Sequence, residues 1–553
     1  MNCKTFNKRL RDYVENKSNE KLNKQMKEHI DTCPGCEKLY KERLELKSLL
    51  KELFKVPNYT SQRSEIMNKL DNKFYNKSYA KKIFYHFTRN KFRYSAALIC
   101  SSLLFFTLPV MKNIIDKNMK EINFSMERGK ILDRDGNKLV TNNDEPYQDE
   151  NKNIIATRKY AINNFLVDIL GITDKDKKGL NGVELQYDND LKNGKDLVLT
   201  VDSSIQGFVE KSAETALKSN KAKAVTIIVM NPKNGEVLAM TNKADHNVTN
   251  ISKNAKTSDE FNDQLKNKVV TDAFVPGSIF KVITFSAAIA EGIIKENEQF
   301  VCHGSIKISN KEIKCWKTAG HGNQNIEEVL KNSCNIGIIE LAERLGTAKL
   351  NQYIEKFGFG QKTGIDLPQE VSGTLEKAEN ISNVDLATMA LGHRNTVSPI
   401  QFLAAFNAVA NQGEWIRPHV MKQIENTDSK NRKIINRSYD DFSKRRVLDT
   451  NTSKVLCKYL TKVILEGGGN HAYIKGCDIA GLYGTAQKLN QDLKTYEKGK
   501  YVSSFVGMAP ENDAKVTVFV SIDEPDPTNY YAGLIAAPVG KEIFQYVLDY
   551  YKK

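Results

Sequence analysis

The chain has 553 residues and a formal net charge of +15, from 82 Lys and Arg against 67 Asp and Glu. That length exceeds one compact domain and predicts three or four units. Residues 1–93 carry 23 Lys and Arg against 11 Asp and Glu, so most of the basic excess lies there. No RNA- or DNA-binding module accompanies it, and an apolar run follows it. We therefore expect attraction to an anionic membrane surface and no direct binding of nucleic acid.

Residues 1–56 have the pattern of a small helical domain. His29 and Cys33 lie on one face of a predicted helix, and Cys33 and Cys36 form a Cys-x-x-Cys across a Pro-Gly turn. Cys3 would complete a tetrahedral site with one nitrogen and three sulfurs, a ligand set typical of structural zinc. A thioredoxin-like redox pair and unremarkable free cysteines are the alternatives, and the redox pair needs a βαβ context that this segment lacks. The spacing favours zinc.

This N-terminal unit resembles the zinc-binding anti-sigma domain of bacterial regulators. The resemblance covers about the first 55 residues and rests on the type and spacing of all four ligand positions. It implies a structural zinc ion, and it implies a sigma factor as the partner, which the helices of the domain keep from RNA polymerase. The apolar stripe from Leu39 to Phe54 is then either the surface for that partner or a helix–helix contact within the chain.

Residues 57–93 are interpreted as a basic linker, and 94–112 as a transmembrane helix. The run Tyr94–Met111 has 18 residues and no charge, at the short end of the roughly 17–25 residues that a bilayer requires. A buried core helix is the alternative. Basic residues precede the run and mixed charges follow it. The positive-inside rule therefore predicts a single-pass cell-membrane protein with a cytoplasmic N-terminus and a large extracellular C-terminal domain.

The remaining chain divides into 113–200 and 201–553. The second part combines apolar strand-like runs with helical stretches, which predicts a sheet covered by helices. The fold class is thus multi-domain, α+β or α/β, with the all-α zinc domain in front. The predicted strands are Asp196–Asp202, Ala224–Met230, Glu236–Thr241 and Ala514–Ile522, and the predicted helices are Ile326–Leu345, Pro399–Gln412 and Val539–Tyr551.

The candidate nucleophile is Ser278, which stands three residues before Lys281, after a Pro-Gly turn and at the start of an apolar helix. Positions i and i+3 share a helix face, so the Lys281 amine reaches the Ser278 hydroxyl. A dry pocket lowers the pKa of a lysine, and the neutral amine can then take the proton of the serine. The helix N-terminus adds partial positive charge where an oxyanion would form. Taken alone, Ser-x-x-Lys is a common chance pattern, and an ordinary capped core helix is the alternative.

Two later motifs favour the catalytic interpretation. Ser333 and Asn335 form a Ser-x-Asn, and the strand-like run Ile479–Gln487 contains Gly484-Thr485. Ser-x-x-Lys, Ser-x-Asn and a Gly-Thr strand, in this order, are the motifs of penicillin-recognising acyl-serine enzymes.

From about Val201 to Tyr551 the chain resembles the transpeptidase domain of class B penicillin-binding proteins. Residues 113–200 resemble a reduced form of that family's non-catalytic pedestal. The resemblance implies a penicillin-recognising serine transpeptidase fold, and a β-lactam or a peptidoglycan stem peptide as ligand. Beyond the motifs, it is carried by Val229–Met240, Gly320–Gln324, Val397–Gln401 and Ser504–Pro510.

The resemblance also implies a role for each motif residue. Ser278 is the expected nucleophile and Lys281 its general base. Ser333 is the expected proton shuttle, and Asn335 the group that binds a substrate amide. The Thr485 amide resembles the family's oxyanion donor.

The third motif departs from the family's pattern, because Leu482, Tyr483 and Gly484 stand where the family has Lys-Thr-Gly. In the family that lysine and threonine help hold the carboxylate of the stem peptide or antibiotic. Loss of a charge-assisted contact of roughly 1.5–3 kcal/mol weakens anion binding by about ten- to a hundred-fold. We therefore expect the chemistry to persist at a substrate-binding strand, Leu482 to Thr485, that recognises its usual ligand poorly. Lys488 is a candidate to supply the missing cation.

Several further cysteines and histidines are interpreted as structural residues. Cys302 and Cys315 flank a predicted hairpin, and either a disulfide or two free thiols fits that spacing. Cys334, inside Ser-x-Asn, is interpreted as a small packing residue. His321, between two glycines, is interpreted as a structural hydrogen-bonding histidine, and His393 as a loop residue.

The leading hypothesis is a membrane-spanning sensor, because a zinc domain and a serine acylation domain are joined across one span and the third motif is altered. Acylation of Ser278 by a β-lactam, or binding of a wall peptide, would release a sigma factor inside. The alternative is a working class B D,D-transpeptidase that carries a zinc interaction module. A third hypothesis is a catalytically inactive scaffold of wall synthesis.

Overall fold

The computed structural model divides the chain into two compact units, Met1–Phe124 and Ser125–Lys553. The predicted transmembrane segment, 94–112, and the linker before it lie outside the described residues. Among the residues that are described, no helix is long and apolar enough to cross a bilayer. The structure describes part of the first 44 residues, chiefly 20–37, and then 127–552 with gaps at 143–146, 149–153, 156–157, 161–165, 175, 245–264, 296, 428–432, 440–442, 469 and 491–494.

The N-terminal unit is helical where it is described. Helix α1 is Glu20–Thr32, and a short helical turn follows at Pro34. The described apolar side chains of this unit pack around Phe6, Leu10 and Met26, which are almost fully buried.

The second unit contains strands and helices in the following order. The described strands are β1 (Ile131–Leu132), β2 (Lys138–Asn142), β3 (Tyr147–Gln148), β4 (Ile154–Ile155), β5 (Arg158–Tyr160), β6 (Asp196–Leu199), β7 (Ala224–Met230), β8 (Val237–Ala244), β9 (Gln299–Cys302), β10 (Ser305–Ile308), β11 (Lys311–Lys314), β12 (Gly322–Asn325), β13 (Glu414–Ile416), β14 (Met421–Thr427), β15 (Lys433–Ser438), β16 (Lys444–Arg446), β17 (Ala480–Asn490), β18 (Thr495–Ala509) and β19 (Val516–Asp523). The described helices are α2 (Val167–Leu170), α3 (Gly182–Gln186), α4 (Asp188–Lys192), α5 (Ser203–Ser219), α6 (Lys268–Thr271), α7 (Lys281–Ala290), α8 (Ile326–Lys331), α9 (Asn335–Leu345), α10 (Thr347–Lys356), α11 (Asn383–Ala390), α12 (Pro399–Ala410), α13 (Thr450–Glu466) and α14 (Ala532–Lys552).

A six-stranded sheet of order β15-β14-β6-β1-β2-β5 forms the smaller part of this unit. Strands β14 and β15 come from much later in the chain than the other four, so the segment before residue 200 and the large domain share one sheet. A buried ion cluster supports it, in which the Glu184 carboxylate accepts hydrogen bonds from Arg128 at 2.8 Å and from Arg158 at 2.9 Å.

An antiparallel sheet of order β17-β18-β19-β7-β8 forms the centre of the large domain. Helices α5 and α14 pack on one face and α12 packs on the other. A hydrophobic core lies on each face of this sheet, and successive residues of β7 point into one or the other. Ile227 and Val229 pack with α5 and α14, whereas Ile228 and Met230 pack with α12. The period-two alternation of a strand explains this division, and the predicted sheet covered by helices is confirmed.

The prediction of one helix over Ile326–Leu345 is wrong. Helix α8 ends at Lys331 and α9 begins at Asn335. Between them Ser333 adopts a left-handed backbone conformation with φ of 48°. In an unbroken helix, residues two apart point to different faces. The break allows the Ser333 and Asn335 side chains to face the same group.

Candidate active site

Ser278 lies on a tight turn that is pressed against strand β17. The turn Gly277–Phe280 is a single 3-10 turn that leads directly into α7. A Cβ atom on Gly484 would lie 3.0 Å from the Ser278 Cβ, and one on Gly277 would lie 2.7 Å from the Ala486 Cβ. Glycine at both positions therefore permits the turn of Ser278, the candidate nucleophile, to contact the strand.

The Lys281 ammonium group is buried and donates hydrogen bonds to the Ser-x-Asn motif, Ser333 and Asn335. Its Nζ donates to the Ser333 carbonyl at 2.8 Å, to the Ser333 Oγ at 2.9 Å and to the Asn335 Oδ1 at 2.7 Å. Burial lowers the pKa of Lys281 from 10.5 to about 8. A lysine with this pKa exchanges a proton near neutral pH, which is the property that a general base for a serine hydroxyl requires.

The Ser-x-Asn loop is held in turn by the end of the β10–β11 hairpin. The Asn335 Nδ2 donates to the carbonyl of Lys314 at 3.0 Å. The Trp316 indole Nε1 donates to the carbonyl of Asn332 at 2.9 Å, although the Trp316 side chain is 63% exposed. These bonds fix a loop whose Ser333 backbone is strained.

Strand β17 presents Leu482 and Tyr483 on opposite faces. Leu482 is buried and shares the face of Gly484, which contacts Ser278. The Tyr483 hydroxyl packs against the backbone of Gly468, on the far side of the strand. Leu482 is therefore the departure on the Ser278 side of the strand, whereas the Tyr483 side chain points away from Ser278.

The neighbouring polar side chains of β17 serve the structure. The Thr485 Oγ1 accepts from the backbone N–H of Ala532 at 2.9 Å, which ties the strand to α14. The Lys488 Nζ lies 2.7 Å from carboxylate oxygens of both Asp523 and Glu524. Lys488 is thus neutralised by two carboxylates, and the suggestion that it supplies the missing cation is not supported.

A cluster of possible metal ligands lies beside the Ser-x-Asn loop. The ligand atoms of Cys302, Cys315, His321 and Cys334 all lie within 4.8 Å of one another. All three cysteines are free thiols, so Cys302 and Cys315 form no disulfide. The His321 Nδ1 lies 3.6 Å from the Cys315 Sγ, in keeping with a hydrogen-bonding histidine. The buried His321 Nε2 has no hydrogen-bond partner among the described residues. Three sulfurs and one imidazole nitrogen are a ligand set that fits tetrahedral Zn²⁺.

Two thiols of this cluster share a hydrogen bond that shifts their pKa values in opposite directions. The hydrogen bond from Cys334 is the main cause that lowers the pKa of Cys315 to about 4, and the same bond raises the pKa of Cys334. This site is not evident in the sequence, because none of its donors form a short metal-binding motif such as Cys-x-x-Cys. The spacing of the four donors in the sequence is symmetrical. Twelve residues separate Cys302 from Cys315, twelve separate His321 from Cys334, and five separate Cys315 from His321.

We expect the variant Cys315→Ser to bind about one zinc ion less per chain than the parent protein. Its Tm should fall by about 5 °C, because a ligand that binds only the folded state stabilises it. Metal content by mass spectrometry and a thermal melt measure both effects, with the half-buried Cys477→Ser as the control. Unchanged zinc content in the Cys315→Ser variant would contradict the assignment.

A second cluster of ligands lies in the N-terminal unit. The ligand atoms of Cys3, His29, Cys33 and Cys36 lie within 4.8 Å of one another, and the Sγ atoms of Cys3 and Cys33 are 3.7 Å apart. The buried His29 Nε2 has no hydrogen-bond partner among the described residues. A hydrogen bond from the Cys36 backbone N–H is the main cause that lowers the pKa of Cys33. All four predicted ligands are thus close enough to hold one Zn²⁺.

Comparison with known protein families finds a match for the large domain. The family profile "Penicillin binding protein transpeptidase domain" matches residues 225–545. The chain belongs to this family. The predicted resemblance of the large domain to class B penicillin-binding proteins is thereby confirmed, while the assignments of the N-terminal unit stay predictions.

Individual members of the penicillin-binding-protein family show the same similarity. The chain is 35% identical over 413 residues to stage V sporulation protein D of Bacillus subtilis, an alignment that covers 69% of this chain and 62% of that protein. It is 26% identical over 411 residues to the peptidoglycan D,D-transpeptidase FtsI of Escherichia coli K12, covering 69% of this chain and 66% of that one. The crystal structure of penicillin-binding protein 3 from Mycobacterium tuberculosis in complex with ampicillin aligns with a TM-score of 0.69 at 25% identity, covering 77% of this chain and 96% of that chain.

Proposed function

We propose that the chain is a peptidoglycan D,D-transpeptidase that forms an acyl-enzyme at Ser278. The observation that carries the proposal is the buried Lys281, whose lowered pKa and bonds to Ser333 and Asn335 prepare it to activate a neighbouring hydroxyl. The relatives that are named as D,D-transpeptidases support this function over the sensor hypothesis.

The proposed reaction has two acyl transfers. Ser278 Oγ attacks the carbonyl carbon of the penultimate residue of a stem peptide while Lys281 takes its proton. The amide C–N bond then breaks, and the terminal amino acid leaves as an amine that receives this proton from Lys281. Backbone amides at Ser278 and Thr485 are proposed to stabilise the oxyanion. An amine of a second peptide then attacks the ester and regenerates Ser278. A β-lactam would stop the cycle at the ester.

The test is covalent labelling by fluorescent penicillin, followed by in-gel fluorescence and mass spectrometry. The parent protein should gain one penicilloyl adduct on Ser278, and the variant Ser278→Ala should gain none. Ser286→Ala, which removes a buried hydroxyl of α7 that bonds to Val282 within the helix, is the matched control. Labelling that persists in Ser278→Ala would refute the proposal.

We further propose that 94–112 anchors the protein in the cell membrane, with the N-terminus cytoplasmic and the large domain outside. The uncharged run and its basic N-terminal flank support this orientation. Protease treatment of intact spheroplasts should degrade residues after 112 and spare an N-terminal fragment. Protection of the large domain would reverse the orientation.

The second candidate function is control of a sigma factor by the N-terminal unit, favoured by the cluster of Cys3, His29, Cys33 and Cys36. In this proposal, a zinc-stabilised helical domain binds the sigma factor on the cytoplasmic side of the membrane. Ser278 binds a β-lactam or wall peptide on the outer side. Pull-down with the full-length protein should recover a sigma factor, and Cys33→Ser should lose both zinc and that partner. If the parent protein recovers none, the N-terminal unit has another role and the transpeptidase proposal is unaffected.

A further inference from the structure

Strand β15 lies at an edge of the six-stranded sheet. It pairs on one side with β14, which itself pairs with β6, and no other described strand pairs with its second side. Later in the chain β16 pairs with β13, and its second side is likewise free of any described strand. We call β15 and β16 together the open edge. Each strand of the open edge has one side on which another strand could be added.

The open edge is exposed along both of its strands. Every residue of β15, Lys433–Ser438, and every residue of β16, Lys444–Arg446, is exposed. In an edge strand, alternate residues direct their backbone N–H and C=O groups away from the sheet. An extended segment of another chain can form hydrogen bonds with those groups and continue the sheet. The backbone of the open edge is therefore accessible for such pairing.

Two exposed isoleucines flank the open edge, one on each face of the sheet. Ile434 pairs in register with Asn426 and is 49% exposed, and Ile435 pairs with Glu425 and is 57% exposed. Successive residues of a strand point to opposite faces, so apolar surface lies on both sides of the edge. Proteins usually protect a free edge strand with charged or polar residues, because an apolar edge pairs with other chains. Two successive exposed isoleucines indicate a surface for a partner strand.

The charge of this segment restricts the choice of partner. Residues 433–446 carry five Lys and Arg against two Asp. Among the described residues, only Lys433 of these cations pairs with a carboxylate, Glu425 at 2.8 Å. The open edge is therefore strongly basic. Like charges on facing strands destabilise their pairing, so a second copy of this edge is a poor partner and an acidic strand is complementary.

We propose that the open edge binds an extended, acidic segment of a partner protein, which adds to the sheet as a further strand. Backbone hydrogen bonds hold the segment to β15, and Ile434 and Ile435 contact its apolar side chains. The cations of the open edge contact its Asp and Glu side chains. The proposal goes beyond the transpeptidase function and does not depend on acylation of Ser278, because the open edge contains none of the three motifs.

The test measures the binding of fluorescent peptides to the full-length protein in detergent by fluorescence anisotropy. The first peptide has twelve residues of alternating glutamate and valine. The second has the same sequence with all backbone nitrogens methylated, so it keeps the charge and loses the hydrogen-bond donors. The third contains lysine in place of glutamate. We expect the first peptide to bind at least about tenfold more tightly than either of the others, because backbone pairing and charge both contribute.

A double variant, Arg437→Glu with Lys444→Glu, tests the protein side of the contact. We expect it to weaken binding of the glutamate peptide by about tenfold and to strengthen binding of the lysine peptide, because it reverses charge on both strands of the open edge. The matched control is Lys454→Glu with Lys458→Glu, which reverses the same charge on exposed positions of α13. The control should keep the parent protein's preference for the glutamate peptide.

Two other occupants of the open edge give different results. If sedimentation shows a dimer of the parent protein that the double variant abolishes, and the glutamate peptide does not bind, the edge pairs with a second copy and the proposal is overturned. Equal binding of the methylated and unmethylated glutamate peptides would show a charged patch that takes any polyanion, and it would also overturn the added strand. An unchanged peptide preference in the double variant would contradict the assignment to this edge.

Discussion

Replacement of Lys281 by methionine is expected to slow acylation of Ser278 by penicillin about 10²- to 10⁴-fold, the range that general-base catalysis contributes. Methionine is similar in length and apolar, so it fills the buried site but cannot take a proton. Stopped-flow or gel-based labelling at several penicillin concentrations gives the acylation rate constant. A loss of less than about tenfold would mean that another group activates the serine.

The same experiment has an expected pH dependence. Burial lowers the pKa of Lys281 to about 8, and only the neutral amine accepts a proton. The acylation rate of the parent protein should therefore rise as the pH increases through about 8 and level off above it. Lys281→Met should lose this rise, whereas Lys462→Met, at a half-buried lysine that pairs with Glu327, should keep it. A flat profile in the parent protein would contradict the role of Lys281.

Replacement of Leu482 by lysine is expected to raise the rate of acylation by penicillin roughly 10- to 100-fold. Leu482 lies on the cleft face of β17 with Gly484, so the new ammonium group would meet the carboxylate of the antibiotic. One charge-assisted hydrogen bond of about 1.5–3 kcal/mol accounts for the size of the gain. Second-order rate constants of labelling measure it, and Leu482→Met is the control without charge.

The gain should depend on the ligand's negative charge. A penicillin methyl ester lacks the carboxylate, so Leu482→Lys should label with it no faster than the parent protein. A gain that is equal for the acid and its ester would show that lysine acts on the nucleophile and not on the ligand. Tyr483→Thr alone should change little, because Tyr483 faces Gly468 on the other side of the strand.

The third motif shows what residue spacing in the sequence can predict and what it cannot. The sequence identified Leu482 and Tyr483 as one departure from a familiar pattern. The structure separates them, because neighbouring residues of a strand point to opposite faces. Lys488 shows the opposite limit. Its proximity in sequence suggested that it could replace the missing cation, but its Nζ pairs with Asp523 and Glu524, at the end of the strand two places away in the sheet.

The sequence by itself determined the class of the large domain and its catalytic candidates, because those depend on short-range patterns. Ser278 and Lys281 are one turn apart, and three ordered motifs specify a family. It likewise predicted the ligands of the N-terminal cluster, three of which lie within eight residues of chain, His29 to Cys36.

Only the tertiary structure decided what distant segments do together. Cys302, Cys315, His321 and Cys334 come from separate elements, and each has an ordinary local interpretation until folding brings the donor atoms within 4.8 Å. The break between α8 and α9 is of the same kind, because local helix preference favours continuity there and the contacts of Ser333 and Asn335 with Lys281 accompany the break. Local preference is encoded in neighbouring residues, whereas a site assembled from several elements depends on packing, and packing is a property of the whole fold.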